Sequence, residues 1–482
     1  MDLCFLDDTI AAVSTPPGQS GIGIVRLSGP EALAIVDSVF SPGPWPPPCG
    51  TASPPVATTG GLAVPHGLQQ ATSFTTHYGH IVENGEPLDE VLVTVMRAPR
   101  TYTREDVAEI NCHGGAVPLR RVLELCLRRG ARLAQPGEFT QRAFRNGRID
   151  LAQAEAVADV IRAQTEQAQR AAQRQLDGAL SERIGSFQEE LLDLVVRLEA
   201  AIDFTDEDLT FLAPDEIHRR CSGLRERIAA LIATADTGRI LREGVSAVIV
   251  GRPNVGKSSL MNALLRDDRV IVTPIPGTTR DVVEDFVQIG GVPVRLADTA
   301  GLRETEDLIE SEGVRRTRGR LDEADLCLLL LDGSAALTDE DRALLEELRG
   351  RGALLVLNKL DLGLALSAAD LAEWAPADRV LAVSATERLG LAELEAAIER
   401  LIWGGRATPA EAVLVTNVRH KDALMRADEA LARAEAAAAQ GLTEEFVASD
   451  LREALQALGE IIGETTAEDV IARIFGTFCI GK

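Results

Sequence analysis

The feature that most constrains this chain lies at its middle, in the octapeptide Gly251-Arg252-Pro253-Asn254-Val255-Gly256-Lys257-Ser258, set between the apolar run Val245–Val250 and a helix-forming run from Ser259. A strand that turns through glycines into a helix points backbone N–H groups into a concavity, and the helix N-terminus adds positive potential. An anion fits there. A lysine followed by a hydroxyl makes that anion a phosphate carrying a divalent cation, with Lys257 neutralising the β- and γ-phosphates and Ser258 ligating Mg2+. Such a loop calls for a mostly parallel sheet flanked by helices.

The nucleotide is read from three further motifs that follow in order. Asp298-Thr299-Ala300-Gly301 closes the strand-like residues 292–297, where Asp298 is placed to hold Mg2+ through its water shell and Gly301 to meet the γ-phosphate. Asn358-Lys359-Leu360-Asp361 closes the apolar residues 353–357, and a carboxylate there accepts two hydrogen bonds from the N1–H and N2–H2 of guanine, a pattern adenine lacks. Ser384-Ala385-Thr386 completes the base pocket through backbone N–H groups. Between the first two motifs, Thr273-Pro274-Ile275-Pro276-Gly277-Thr278-Thr279-Arg280-Asp281 has the character of a loop that closes over nucleotide and metal, with Thr279 as the second protein ligand of Mg2+. The expected guanine-nucleotide site thus takes in residues 254–259, 273–279 and 298–301 with Asn358, Lys359, Asp361, Ser384, Ala385 and Thr386; Ser259 belongs to it as the first residue past the loop. Leu302 stands where Ras-like enzymes place a glutamine, so another residue must orient the attacking water, and a partner or a bound cation must supply arginine-finger charge.

This module is inserted between flanks of different character. Residues 22–27 read as a buried strand, residues 76–82 and 90–96 as further strands, and residues 118–129 as an amphipathic helix, which gives an α+β domain over residues 1–150. Residues 41–70 are crowded with Pro, Gly, Ser and Thr and read as a surface insertion that sustains neither helix nor ladder. Residues 151–242 are rich in Ala, Leu, Gln, Glu and Arg, and that composition returns over 405–482, so one helical bundle interrupted by the module at 243–404 is expected.

Lys and Arg number 49 against 74 Asp and Glu, a formal net charge of −25, which argues against a nucleic-acid binder working through a basic surface of its own. The first ten residues lack a basic and apolar leader pattern and no apolar run approaches the ~18 residues that span a bilayer, so a cytoplasmic protein without membrane contact is expected. The seven cysteines are scattered without a C-x-x-C pair, and His77 and His80 have no acidic or Cys companions at metal-ligand spacing. Cys479 reads either as a nucleophile or as a small apolar residue of the last turn. His113-Gly114-Gly115 reads as a tight turn, Gly21-x-Gly23 lacks the third glycine of a dinucleotide fingerprint, and the acidic residues 203–208 read as a solvated helix end.

Nearly the whole chain resembles the family of tRNA modification GTPases called MnmE or TrmE, within the TrmE-Era-EngA-YihA-Septin-like superfamily. The resemblance is carried by Asp8-Thr9-Ile10-Ala11-Ala12, Thr15-Pro16-Pro17-Gly18, Gly21-Ile22-Gly23-Ile24-Val25-Arg26, Glu105-Asp106, His113-Gly114-Gly115, Pro136-Gly137-Glu138-Phe139, Asp150-Leu151-Ala152-Gln153-Ala154-Glu155, the GTPase motifs and the terminal Phe478-Cys479-Ile480-Gly481-Lys482. It implies a folate-binding, self-associating N-terminal domain, a helical domain built from both flanks, and K+-stimulated GTP hydrolysis by the inserted domain. It further implies K+ beside the phosphates at Asn254, Thr273, Ile275 and Thr278, water orientation by Glu310, and a tetrahydrofolate derivative (5-formyl or 5,10-methylene) at Arg26, Glu109, Arg148 and Lys482. Arg148 departs from the usual lysine, and its planar fork is not equivalent. Family members act with a flavoprotein, MnmG, as a heterotetramer to add an aminomethyl-type group at carbon 5 of the wobble uridine of tRNA; a partner that supplies most phosphate contacts reconciles that chemistry with an acidic chain. The competing expectation is a regulatory or assembly GTPase without one-carbon chemistry.

Overall fold

The structure is a computed structural model and describes residues 8–43, 67–203, 213–268, 285–298, 324–404 and 413–482. The described residues fall into two compact units, one holding the chain up to Ala158 and again from Gly459, the other holding what lies between.

The first unit is built on a seven-stranded sheet of order β3-β4-β5-β6-β2-β1-β7, with β1 Ile10–Val13, β2 Ser20–Ser28, β3 Phe40–Pro42, β4 Thr75–Glu83, β5 Glu86–Met96, β6 Val107–Gly114 and β7 Arg132–Leu133. Every described pairing is antiparallel except that of β1 with β7. Alternation sets which face is covered: Val25 and Leu27 on β2, Val91, Val93 and Val95 on β5, and Ala108 and Ile110 on β6 are buried with α1 (Ala32–Asp37) and α2 (Ala116–Arg128). Helix α2 meets them with Leu119, Val122, Leu125 and Cys126, one face at helical spacing. The opposite sheet face is where the sequence reading of residues 22–27 needs correcting, because Ile22 is 62% exposed and only alternate residues of β2 enter the core. The Pro-rich stretch also holds more order at its ends than expected: Phe40–Pro42 pairs with β4 as an edge strand, where Pro needs no ladder donor, and Leu68–Gln70 forms a 3-10 turn. Residues 44–66 lie outside the described residues.

Helix α3 (Glu138–Arg145) ends the sheet region, and the terminal helix of the chain, α14 (Glu468–Phe475), packs beside it. The last residues then run back onto the sheet. Gly137 N donates to Cys479 O at 3.3 Å, Ile480 bridges Pro136, and Gly481 adopts φ +94°, with a Cβ there reaching 2.4 Å from Val13 O.

The second unit contains a six-stranded sheet of order β13-β12-β11-β8-β10-β9, made of β8 Val245–Val250, β9 Asp285–Ile289, β10 Val292–Asp298, β11 Leu326–Asp332, β12 Leu354–Asn358 and β13 Val380–Ala382. All neighbours are parallel except β9 and β10. Both faces are covered, so the strands read as continuous apolar runs: Ala247, Ile249, Leu328, Leu330 and Val356 face one core while Val248, Val250, Leu329, Leu331 and Leu357 face the other. Helices α9 (Lys257–Asp268), α10 (Asp339–Glu347) and α11 (Leu391–Trp403) flank the sheet. The helical part comprises α4 (Leu151–Arg162, entering from the first unit), α5 (Glu166–Leu176), α6 (Ala179–Asp203), α7 (Pro214–Ile232), α8 (Ala235–Glu243), α12 (Val418–Ala439) and α13 (Glu444–Ile462). Helix α7 precedes the sheet in sequence and α12 follows it, yet the two pack together and Arg225 binds both Asp428 and Glu435 at 3.0 Å. The two flanks therefore form one helical domain around an inserted α/β domain. Among the described residues no helix is long and apolar enough to cross a membrane.

Candidate functional site

Strand β8 lies at the middle of its sheet, buried on both sides, and so delivers the phosphate loop from a rigid base into the N-terminus of α9. Lys257 folds back across the loop and donates from Nζ to Gly251 O at 2.7 Å and Arg252 O at 3.0 Å. Ser258 and Ser259 are exposed at the helix start, and Asn254 is exposed on the loop with left-handed φ +62°. Gly256 has φ +99°, and a Cβ on it would lie 2.3 Å from Asn358 Nδ2, so the loop passes too close to the base motif for any side chain.

That approach is made by Asn358 itself. Its Nδ2 donates to Val255 O at 2.7 Å and its Oδ1 accepts from Ala385 N at 3.0 Å, which stitches the phosphate loop, the base motif and the 384–386 turn into one piece. Asp361 Oδ1 accepts from the buried Ser384 hydroxyl at 2.5 Å, which orients the carboxylate, and Ser384 Oγ in turn accepts from Glu387 N. Lys359 follows Asn358 in a left-handed conformation, φ +67°. The backbone of Asp298 ends β10 in register with Ile249, two residues before the phosphate loop. The structure thus brings together Val255, Gly256, Lys257, Asn358, Asp361, Ser384 and Ala385 at the C-terminal ends of parallel strands, where α/β sheets bind ligands. Thr273, Pro274, Ile275, Pro276, Gly277, Thr278, Thr279, Thr299, Ala300, Gly301, Leu302 and Glu310 lie outside the described residues.

A second cluster forms in the first unit. Arg26 on β2 faces Glu109 on the neighbouring β6 in strand register and contacts its Oε1 through Nε and Nη2, both at 2.8 Å. The guanidinium lies 5.7 Å from the Phe139 ring centroid and 5.9 Å from that of Tyr102. Arg148 stacks on the same Tyr102 ring at 4.7 Å and donates to its carbonyl at 3.3 Å. The chain end completes the group, since Arg26 Nη1 reaches Gly481 O at 3.5 Å and Lys482 is half-buried beside it. Burial, and then the Arg26 charge, hold the Lys482 amine below the ordinary lysine range. Arg26 pairs with Glu109, Lys482 feels the same carboxylate, and Arg148 adds a third cation over the Tyr102 ring, a donor excess suited to an anionic ligand, while Glu109 offers an acceptor for ring N–H groups. Cys479 is exposed on the same tail rather than packed in the last turn, which corrects its apolar reading. Tyr102 and Phe139 were not among the expected site residues; the signal was in the sequence, since Tyr102 is one of only two tyrosines and Phe139 closes the motif Pro136-Gly137-Glu138-Phe139. His77 bonds Thr75 and His80 bonds Gly43 O.

A family model of the MnmE helical domain matches residues 151–479, and one of the GTP-binding protein TrmE N-terminus matches residues 9–148. The tRNA modification GTPases MnmE of Alkaliphilus oremlandii and Alkaliphilus metalliredigens are 46% and 47% identical to this chain, each over 99% of it and 100% of their own length. The protein of that name from Enterococcus faecalis is 45% identical over 98% of either chain.

Proposed function

Because the chain belongs to the MnmE family of tRNA modification GTPases, we propose that it hydrolyses GTP with K+ stimulation and couples that cycle to modification of carbon 5 of a tRNA wobble uridine. It is a GTPase that works with Mg2+. In this reading Ser258 and Thr279 ligate Mg2+, Asn254 with Thr273, Ile275 and Thr278 hold K+ beside the phosphates, and Glu310 orients the attacking water that Leu302 cannot. A cation there takes the place of an arginine finger.

The one-carbon unit is supplied by a tetrahydrofolate derivative, 5-formyl or 5,10-methylene. Glu109 accepts ring N–H groups, Arg26 and Lys482 meet carboxylates, and Arg148, 4.7 Å from the centre of the Tyr102 ring, meets them too. The exposed Cys479 is the nucleophile candidate on the same tail. The functional assembly is a homodimer through the N-terminal domain joined to an MnmG-like flavoprotein, which makes most of the tRNA contacts for a chain of charge −25. Residues 1–150, 151–242 with 405–482, and 243–404 are the corresponding folate, helical and GTPase domains.

The observation that carries this reading is the convergence of four residues up to 456 positions apart: Arg26 and Arg148 lie over the Tyr102 ring, Glu109 pairs with Arg26, and Lys482 lies beside both. A switch that only binds GTP has no use for such a cluster. Equilibrium binding of 5-formyl-tetrahydrofolate to the full chain tests it, with GTP hydrolysis in KCl and NaCl at equal ionic strength beside it. Folate binding lost in Arg26→Ala, with hydrolysis faster in KCl, is the expected result. No folate binding by the unaltered chain would return the protein to regulatory or assembly GTPases.

A further inference from the structure

We infer that Asp332 is a positioning residue for guanine-nucleotide binding, clamping Arg252 of the phosphate loop and Lys359 of the base motif into a single charge cluster. The inference rests on the GTPase reading and adds a residue that none of the four motifs contains. Asp332 ends β11 directly beside Asn358, its register partner on β12. Its two oxygens do different work. Oδ1 accepts from Ser334 N at 3.1 Å and Ser334 Oγ at 2.6 Å, which is all that a strand-end turn requires. Oδ2 faces the other way, 2.7 Å from Lys359 Nζ and 3.7 Å from Arg252 Nη2. A residue serving the turn alone has no reason to gather two cations from two separate nucleotide motifs.

Arg252 is held from its far side as well, with Nε 3.3 Å from Asp341 on α10. Asp341 is buried and accepts from Thr338 N and Oγ1 in a capping box, so this end of the cluster is anchored in the core. Burial alone would raise the Asp332 carboxyl, but the hydrogen bonds from Lys359 and Ser334 outweigh it and hold it below the ordinary carboxylate range. The carboxylate therefore stays charged at neutral pH. The consequence for the ligand follows from Lys359, whose left-handed backbone belongs to neither helix nor strand and leaves a flexible stem to be ordered. Asp332 fixes the amine and so lays that stem from the base motif toward the phosphate loop. The same carboxylate holds Arg252, whose carbonyl accepts from Lys257 Nζ. Base end and phosphate end of the site are thus ordered together before nucleotide arrives, and dissociation must disturb both.

The test uses the full-length chain and a fluorescent methylanthraniloyl GDP, with Asp332→Asn, Lys359→Met, the double variant and Asp332→Glu. Asn keeps the Ser334 hydrogen bonds and removes the charge. We expect Asp332→Asn to raise Kd about tenfold, mainly through faster dissociation, as loss of one charge-assisted contact does. The double variant should be weaker than Lys359→Met alone only by the share that the Arg252 contact carries, less than Asp332→Asn costs in the unaltered background, and Asp332→Glu should recover most of the affinity. A Kd for Asp332→Asn within about twofold of the unaltered protein overturns the inference, as does strict additivity in the double variant. Thermal stability lowered with Kd unchanged also overturns it, since that is the signature of a turn residue. Failure of the unaltered chain to bind the probe would instead sink the GTPase reading.

Discussion

The side-chain amide of Asn358 donates to the Val255 carbonyl at 2.7 Å, so the residue that begins the guanine motif is also the brace of the phosphate loop. Its carbonyl oxygen accepts from Ala385 N at 3.0 Å, and both contacts are buried. Removing the side chain in Asn358→Ala leaves a backbone acceptor and a backbone donor unsatisfied, each costing about 1–3 kcal/mol. Nucleotide affinity should fall together with stability. The check is thermal unfolding with and without GDP: the unaltered protein gains stability from GDP, and the variant should melt lower and lose most of that gain.

The same closeness makes Gly256 irreplaceable. At φ +99°, with the position of a Cβ 2.3 Å from Asn358 Nδ2, Gly256→Ala must strain the backbone by about 1–3 kcal/mol or push Asn358 away from Val255. GTP turnover should drop at least tenfold while circular dichroism still reports the helices. Turnover near that of the unaltered chain would show that the loop opens more easily than this packing allows.

How far the sequence foretold these sites depended on the range of the signal. The strand Val245–Val250 and the glycine-lysine-serine turn are local, each residue choosing its role from its neighbours, and the structure places them as read. The pairing of α7 with α12 was suggested by composition alone, and what holds it, Arg225 between Asp428 and Glu435, has no local pattern. The half-exposed face of β2 was misjudged because Ile22 and Ile24 on that face are as apolar as Val25 and Leu27 on the other, and only the neighbouring strands decide which face α1 and α2 cover. Tyr102 escaped notice because an aromatic ring gains meaning only when Arg26 and Arg148, 76 and 46 residues away, lie against it.

The chain end should be as intolerant as the phosphate loop. Gly481 sits at φ +94° with the position of a Cβ 2.4 Å from Val13 O, and its carbonyl lies within 3.5 Å of Arg26 Nη1. Gly481→Ala therefore lifts the tail from β1 and carries Lys482 away from Arg26. Affinity for 5-formyl-tetrahydrofolate, measured by calorimetry, should weaken about tenfold, the scale of one lost charge-assisted contact. Unchanged affinity would mean that the tail takes no part in the ligand site.

Lys482 gives this cluster a pH dependence whose sign is fixed by burial. Its amine is held below the ordinary lysine range, by burial first and then by Arg26, so the folded chain binds that proton less readily than the unfolded chain does. The penalty is present in full below the folded pKa and fades as pH rises through that value toward the unfolded one. Without ligand, Lys482→Met should therefore melt higher than the unaltered protein near neutral pH, and the gain should shrink as the medium becomes alkaline. A carboxylate ligand reverses the ranking, because the half-buried ammonium then gains a closer opposite charge: with 5-formyl-tetrahydrofolate present, the unaltered chain should gain stability and Lys482→Met should gain little. Melting curves across pH with and without the ligand check both signs, and a Met variant that melts lower in the absence of ligand at neutral pH would remove the charge argument for this residue.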